Sequence, residues 1–227
     1  MMVSALLCLF VLVIYAGARR GSDLLGNPPW ASPVLVAAVI VTAALWLTGV
    51  PVAVFDAATM PLRWLLGPGL VALALVIDAN RALLRRRAAA VLVAVVGGTL
   101  VGVASAVGLA QVLGLAPMLR QAVVTKTVST PFAVAIQTMV GGPVALAAAL
   151  AVVTGVIGAL LVPVMFDRLR IGGTAGRALG MGVSSHIVGT DWLTRRDARA
   201  GGMAALGMVL AGTLAALVLP AVWRVAG

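Results

Sequence analysis

The chain has 227 residues, 63% of them hydrophobic and 10% charged, with a formal net charge of +10. A soluble domain is roughly half apolar and a quarter charged, so water is excluded as the main solvent. Nucleic acid is excluded as a partner by placement: the basic residues stand in short clusters at the ends of apolar runs, where they orient membrane helices, and form no solvated basic face.

The first uncharged run is Met1 to Ala18. Its closing Ala16-Gly17-Ala18 looks like a signal cleavage site, but a secretory signal carries its positive charge ahead of the apolar stretch, and here Arg19 and Arg20 follow it. The run is therefore predicted to remain as a membrane span. Cys8 lies inside it and, as the one cysteine of the chain, is read as a packing residue. Asn27-Pro28-Pro29 interrupts the helix and introduces a second span from about Pro33 to Val50. A loop is expected around Asp56. The third apolar stretch, Trp64 to Ile77, contains Gly67-Pro68-Gly69 and is predicted to be a kinked or broken helix.

Asp78 and the basic cluster of Arg81, Arg85, Arg86 and Arg87 follow, and the positive-inside rule assigns that cluster to the cytoplasm. The fourth span, about Ala88 to Leu113, carries Gly97-Gly98, Gly102 and Gly108, small residues that admit a neighbouring helix. Leu119 to Thr138 differs in kind. It holds Arg120, Gln121, Thr125, Lys126, Thr127, Ser129, Thr130, Gln137 and Thr138, and is too polar for lipid, where each unpaired group costs several kcal/mol.

The apolar span from about Pro143 to Phe166 ends in Asp167, Arg168 and Arg170, with Arg177 beyond. These arginines reach the cytoplasm only if Leu119 to Thr138 enters from outside and returns as a hairpin. A second stretch, Gly172 to Thr190, lies between two basic clusters and is predicted to dip in from the cytoplasm. After Arg195, Arg196 and Arg199, the last span runs from about Ala200 to Trp223. The predicted fold is thus an all-α polytopic membrane protein, a single domain over residues 1–227. It has about six transmembrane helices and two broken or re-entrant segments, on the plan of inverted-repeat transporters with sites at mid-membrane. The plainer alternative is a bundle of about eight spanning helices.

Two constellations carry the chemistry. The first is Thr125-Lys126-Thr127-Val128-Ser129-Thr130-Pro131, around the one lysine of the chain. A buried ammonium is costly unless it serves a partner, and hydroxyls with free N–H groups at a helix break add donors for an anion. The bland reading is a lysine whose stem snorkels to water. The second is Gly180-Met181-Gly182-Val183-Ser184-Ser185-His186-Ile187-Val188-Gly189-Thr190, with the one histidine. His186 is suited to contact a carboxylate or a coupled proton; its bland reading is a neutral, satisfied core side chain. Lys126, Thr127, Ser129, Thr130, Ser184, Ser185, His186, Gly189 and Thr190 are the candidate substrate-binding residues. One His, one Cys, six Asp and no Glu offer no metal site, and no cofactor is expected. Ser184 and Ser185 adjoin His186 in sequence instead of facing it across a pocket, so no enzyme is expected either. Asp78 and Asp191 are read as helix-end partners of neighbouring arginines, with proton carriage as the alternative.

At these constellations the sequence resembles the LrgB/CidB family, whose members share a Pro-Lys-Ser-Val-Thr-Thr-Pro stretch and a later Gly-Thr-Ser-Ser-His-x-x-Gly-Thr stretch. Asn27-Pro28, Leu65-Leu66-Gly67-Pro68 with Ala72-Leu73-Ala74, Gly141-Gly142, and Thr154-Gly155 with Gly158-Ala159 extend the resemblance over most of the chain. Lys126, Ser129, Thr130, Pro131, Ser185, His186, Gly189 and Thr190 match by position. Thr125 stands in place of the first proline, and Asp191 follows the second motif where a small residue is usual. The resemblance implies a multi-pass protein of the cell inner (plasma) membrane. Its implied function is transport of small carboxylates such as glycolate, glycerate or pyruvate, or antiholin-like regulation of murein hydrolase export and autolysis. A separate LrgA/CidA-like small membrane protein is the implied partner, and a homo-oligomer is the other assembly open to the chain. Among the functional readings the residues favour the carrier, since a pore-former needs neither the lysine nor the histidine.

Overall fold

The computed structural model describes residues 2–226, and every regular element among them is helical. The chain falls into two compact units, Met1–Leu73 and Ala74–Gly227.

In the first unit, α1 (Met2–Leu24) packs on α2 (Pro33–Thr48) and α3 (Val52–Ala58), with the Ser4 hydroxyl and the Cys8 thiol both directed to the Ala58 carbonyl. Pro33 opens α2, where a missing N–H costs nothing, and Gly49 closes it in the left-handed conformation at φ 67°. The expected loop around Asp56 is instead α3: Asp56 sits inside a turn of helix and pairs with Arg63. A lone charge in an apolar run suggested a loop, but the ion pair gives that charge a partner within the fold. The expected break at Gly67-Pro68-Gly69 is also displaced. The chain breaks at Leu65, between α4 (Met60–Trp64) and α5 (Leu66–Ala79), so Pro68 lies in the first turn of α5, where its N–H would have been unpaired anyway. Leu9, Val39, Trp46 and Trp64 are all more than half exposed. Such a continuous apolar surface has lipid as its natural solvent.

Among the described residues, five helical stretches are long and apolar enough to cross a membrane: α1, Met60–Ala79 taken across the break at Leu65, α6 (Arg81–Val112), α9 (Val144–Arg168) and α11 over Ala198–Trp223. The expected second span is α2, whose 16 residues rise about 24 Å, somewhat less than a typical hydrocarbon core. In α6, Arg87 leaves helical geometry at φ −137° and ψ 31°, which sets the arginine cluster apart from the apolar helix beginning at Ala88.

The two polar segments of the second unit are hairpins. Residues 121 and 137 would stand about 24 Å apart on one continuous helix, yet the Gln137 side-chain amide reaches the Gln121 carbonyl at 2.9 Å. α7 (Pro117–Thr125) and α8 (Thr130–Val140) therefore run antiparallel, with Lys126 to Ser129 at the tip. The same test applies to α10 (Thr174–Thr194), which loses helical geometry at His186. Met181 and Gly189 would be about 12 Å apart on a straight helix, but a Cβ at Gly189 would lie 3.1 Å from the Met181 sulfur. α10 accordingly folds back on itself near His186, and both halves pack against α9 and α11 (Ala198–Ala226).

The arginine clusters of this unit share one end. Arg87, the Gly172–Gly176 turn, Asp197 and Arg199 line a single cleft, and the Asn80 side chain donates to the Gly202 carbonyl at 3.2 Å nearby. The second hairpin starts and ends at this basic end; the first starts and ends beside the far terminus of α6, where the Arg120 guanidinium bonds the Leu115 carbonyl. The hairpins thus enter from opposite ends. Val91, Val95, Leu179, Val183, Leu206 and Ala211, from α6, α10 and α11, form the buried core that holds the second one.

Candidate functional site

The two tips meet about halfway along α6 and α9. Gly102 of α6 faces the Thr127 side chain, and Gly98 faces Val183. Each lies roughly 15 Å from one end of the apolar part of that helix and roughly 21 Å from the other. On α9, Gly155 and Gly158 face the second tip: a Cβ at Gly158 would stand 2.7 Å from the Ser185 hydroxyl and 2.9 Å from the Ser184 carbonyl. Only glycine lets the tip backbone approach α9 this closely.

At the first tip, Lys126 ends α7 and Ser129 precedes α8 in extended geometry, φ −61° and ψ 148°. The backbone between them is neither helix nor strand, which leaves carbonyls at the end of α7 and N–H groups at the start of α8 without intrahelical partners. The Thr125 hydroxyl donates to the Ala122 carbonyl and the Thr127 hydroxyl to the Val124 carbonyl. Ser129 is buried, and its hydroxyl caps no helix N–H. Lys126 is half-buried, and no carboxylate pairs with it among the described residues.

The second tip is strained and is held by packing. His186 adopts φ 50° and ψ −136°, a conformation that L-residues rarely take and that persists only where surrounding structure enforces it. Its ring is 3% exposed, lies against the backbone of Thr127 and Ala151, and is within electrostatic reach of Lys126. Nδ1 has no hydrogen-bond partner. The Ser185 hydroxyl donates to the Met181 sulfur at 3.3 Å, and the Ser184 hydroxyl to the Gly180 carbonyl at 2.7 Å. Thr190 lies one turn further on, its hydroxyl buried and unpaired. Gly189 packs against Met181 and Ser185 and lets the arms close.

The structure therefore brings Lys126 and Thr127 together with His186, residues 60 positions apart in the chain by the numbering of the lysine and the histidine. Ser129 and Thr130 share the first tip; Ser184, Ser185, Gly189 and Thr190 share the second. No hydrogen bond among the described residues joins Thr190 to the first tip. Sequence reasoning missed Thr99, a buried hydroxyl of α6 between Gly98 and Gly102 with no partner, and the structural part of Gln137. A threonine inside a glycine-rich helix was the available signal for Thr99. Asp78 and Asp191 pair as expected, with Arg81 at 3.5 Å and Arg195 at 3.0 Å.

Chemically, the junction offers one ammonium without a carboxylate, an imidazole nitrogen without a partner, several hydroxyls and two helix N-termini. Positive charge and donors dominate, so an anion with oxygen acceptors is the complementary ligand.

The comparisons with known proteins point to one family. The family model described as LrgB-like matches residues 11–225. The uncharacterized protein YwbG of Bacillus subtilis (strain 168) is 24% identical over 208 residues, covering 92% of each chain. The uncharacterized protein YxaC of the same organism is 26% identical over 194 residues, 86% of this chain and 84% of the relative. The plastidal glycolate/glycerate translocator 1 of Arabidopsis thaliana is 29% identical over 160 residues, 69% of this chain but 31% of the translocator. No solved structure matches. With nearly its full length matched, this all-α polytopic membrane protein belongs to the LrgB-like family.

Proposed function

We propose that the chain is a secondary transporter of small hydroxy- or oxo-carboxylates such as glycolate, glycerate or pyruvate, resident in the inner (plasma) membrane of a cell. The observation that carries this reading is the half-buried Lys126, without a carboxylate partner, beside His186 at the junction of two hairpin tips. A charge held at that depth needs a counter-ion, and a substrate carboxylate supplies one. Lys126, Ser129, Thr130 and the first free N–H groups of α8 hold the carboxylate. His186, Ser184, Ser185 and Thr190 contact the hydroxyl or oxo group, or a coupled proton. Thr127 and Gly189 shape the two tips.

Hairpins entering from opposite ends support alternating access, because either one moves against α6 and α9 without dismantling the other. We read them as related by an inverted repeat. The relative named as a glycolate/glycerate translocator supports the substrate class. An LrgA/CidA-like small membrane protein, or a second copy of the chain, is the assembly partner in this reading.

The test is uptake of labelled glycolate, glycerate and pyruvate into proteoliposomes, with and without a proton gradient, beside release of a trapped dye. Saturable uptake without dye release is expected. Dye release without saturable uptake would overturn the proposal and support the antiholin-like alternative.

A further inference from the structure

A cleft between the arms of the second hairpin lies outside the tip site. Pro163 and Phe166 of α9, Arg177 and Met181 of the first arm, Trp192 of the second, and Asp197 just ahead of α11 line it. Its mouth is at the basic end, where the Arg177 guanidinium donates to Asp167 at 2.5 Å and lies over the Phe166 ring, 5.6 Å from its centre. The Trp192 ring of the other arm carries Arg196 stacked 4.1 Å above it.

The inner end is a single side chain. Met181 is buried, 3% exposed, and its sulfur accepts the hydroxyl proton of Ser185, the residue immediately before His186. The cleft thus runs from an arginine-bearing rim to within one residue of the tip. Two properties suit it for passage of an anion. Methionine is unbranched and flexible, so it swings aside at little cost. Asp167 is 67% exposed and Arg177 38% exposed, so water screens the pair and a second carboxylate competes with Asp167 for the guanidinium.

We infer that this cleft is the cytoplasmic path by which a small carboxylate reaches and leaves the tip site, with Arg177 receiving the anion at the mouth and Met181 closing the inner end. The inference rests on the transporter reading above. In that path Asp167 is a built-in competitor: it holds Arg177 when no substrate is present and gives it up to an incoming carboxylate.

The first readout of the test is chemical labelling, with uptake measured beside it. In the full-length protein with Cys8→Ser, a Met181→Cys variant is exposed to an anionic, membrane-impermeant methanethiosulfonate from one face of the vesicle at a time, with Arg196→Cys as a surface control. Modification from the arginine-rich face is expected to be at least about tenfold faster than from the other, because the rim steers anions. Glycolate or pyruvate should slow it. Arg177→Gln should slow the anionic reagent by about tenfold while leaving a neutral one unchanged, whereas a merely structural role would move both alike. Absence of modification from that face, with Arg196→Cys labelled, overturns the path, as does labelling that no carboxylate slows in a protein that takes up carboxylates. Failure of the proteoliposome uptake instead sinks the transporter reading, so the two failures are told apart. Should Met181→Cys fail to fold, Met181→Phe serves: it fills the inner end and should reduce uptake while Met181→Leu preserves it, and equal uptake by both variants overturns the gate.

Discussion

The Gln137 side-chain amide donates to the Thr125 hydroxyl at 2.8 Å and, with its other hydrogen, to the Gln121 carbonyl at 2.9 Å. One fully buried residue of the second arm thereby ties down the first arm of the hairpin that carries Lys126. Gln137→Leu removes both bonds, together with the Gln137 side-chain oxygen, which is buried without a partner. The expected loss is about 1–2 kcal/mol of stability, read as a lower midpoint of thermal unfolding in detergent. A variant as stable as the parent would show that the arms need no such tie.

Lys126 is the sharpest test of anion binding. Lys126→Ala is expected to insert normally and to lose uptake. Removing one charge-assisted hydrogen bond is worth about 1.5–3 kcal/mol, roughly 10- to 150-fold in kcat/KM. Unchanged transport would remove Lys126 from the site.

Two glycine-to-alanine changes should differ in sign. At Gly158 the added methyl meets Ser185 and Ser184, whereas at Gly97 it meets nothing within 4 Å. Gly158→Ala is expected to displace the second tip and reduce uptake. Gly97→Ala should stabilise its helix by about 0.5–1 kcal/mol with uptake retained. Paired unfolding and uptake measurements on the two variants check this, and equal behaviour would contradict the packing of α9 on the tip.

His186 separates backbone from side chain. At φ 50° and ψ −136° glycine is relaxed and alanine strained, so His186→Gly should be more stable than His186→Ala by about 1 kcal/mol or more. Both should lose uptake if the imidazole contacts substrate or proton. Retained uptake in either would assign the residue to the turn alone.

The places of both hairpins are legible in the sequence because lipid tolerates so few polar groups. Lys126 and its hydroxyls, or His186 between glycines, stand out in a chain this apolar, and arginines on either side constrain where each segment returns. The partner of Gln137 is not legible, since a glutamine states a demand for hydrogen bonds without naming who meets it. Nor is the facing of Gly158 and Ser185, which depends on how α9 and α10 are rotated. Asp56 misled because its ion pair with Arg63 forms only once α3 and α4 have turned the chain; Pro68 misled because its effect depends on where the helix begins. Thr99 carried too little contrast with its neighbours.

Half-length arms also constrain how the protein is made. Neither Pro117–Val140 nor Thr174–Thr194 is apolar and long enough to leave the insertion machinery for lipid as an independent span. Each must wait for a slot offered by helices already in place, and for the second hairpin one wall of that slot, α11, is synthesised after it. The junction of the two tips is therefore among the last parts to settle during biogenesis, and a helix misplaced early would strand two polar loops where quality-control proteases find them.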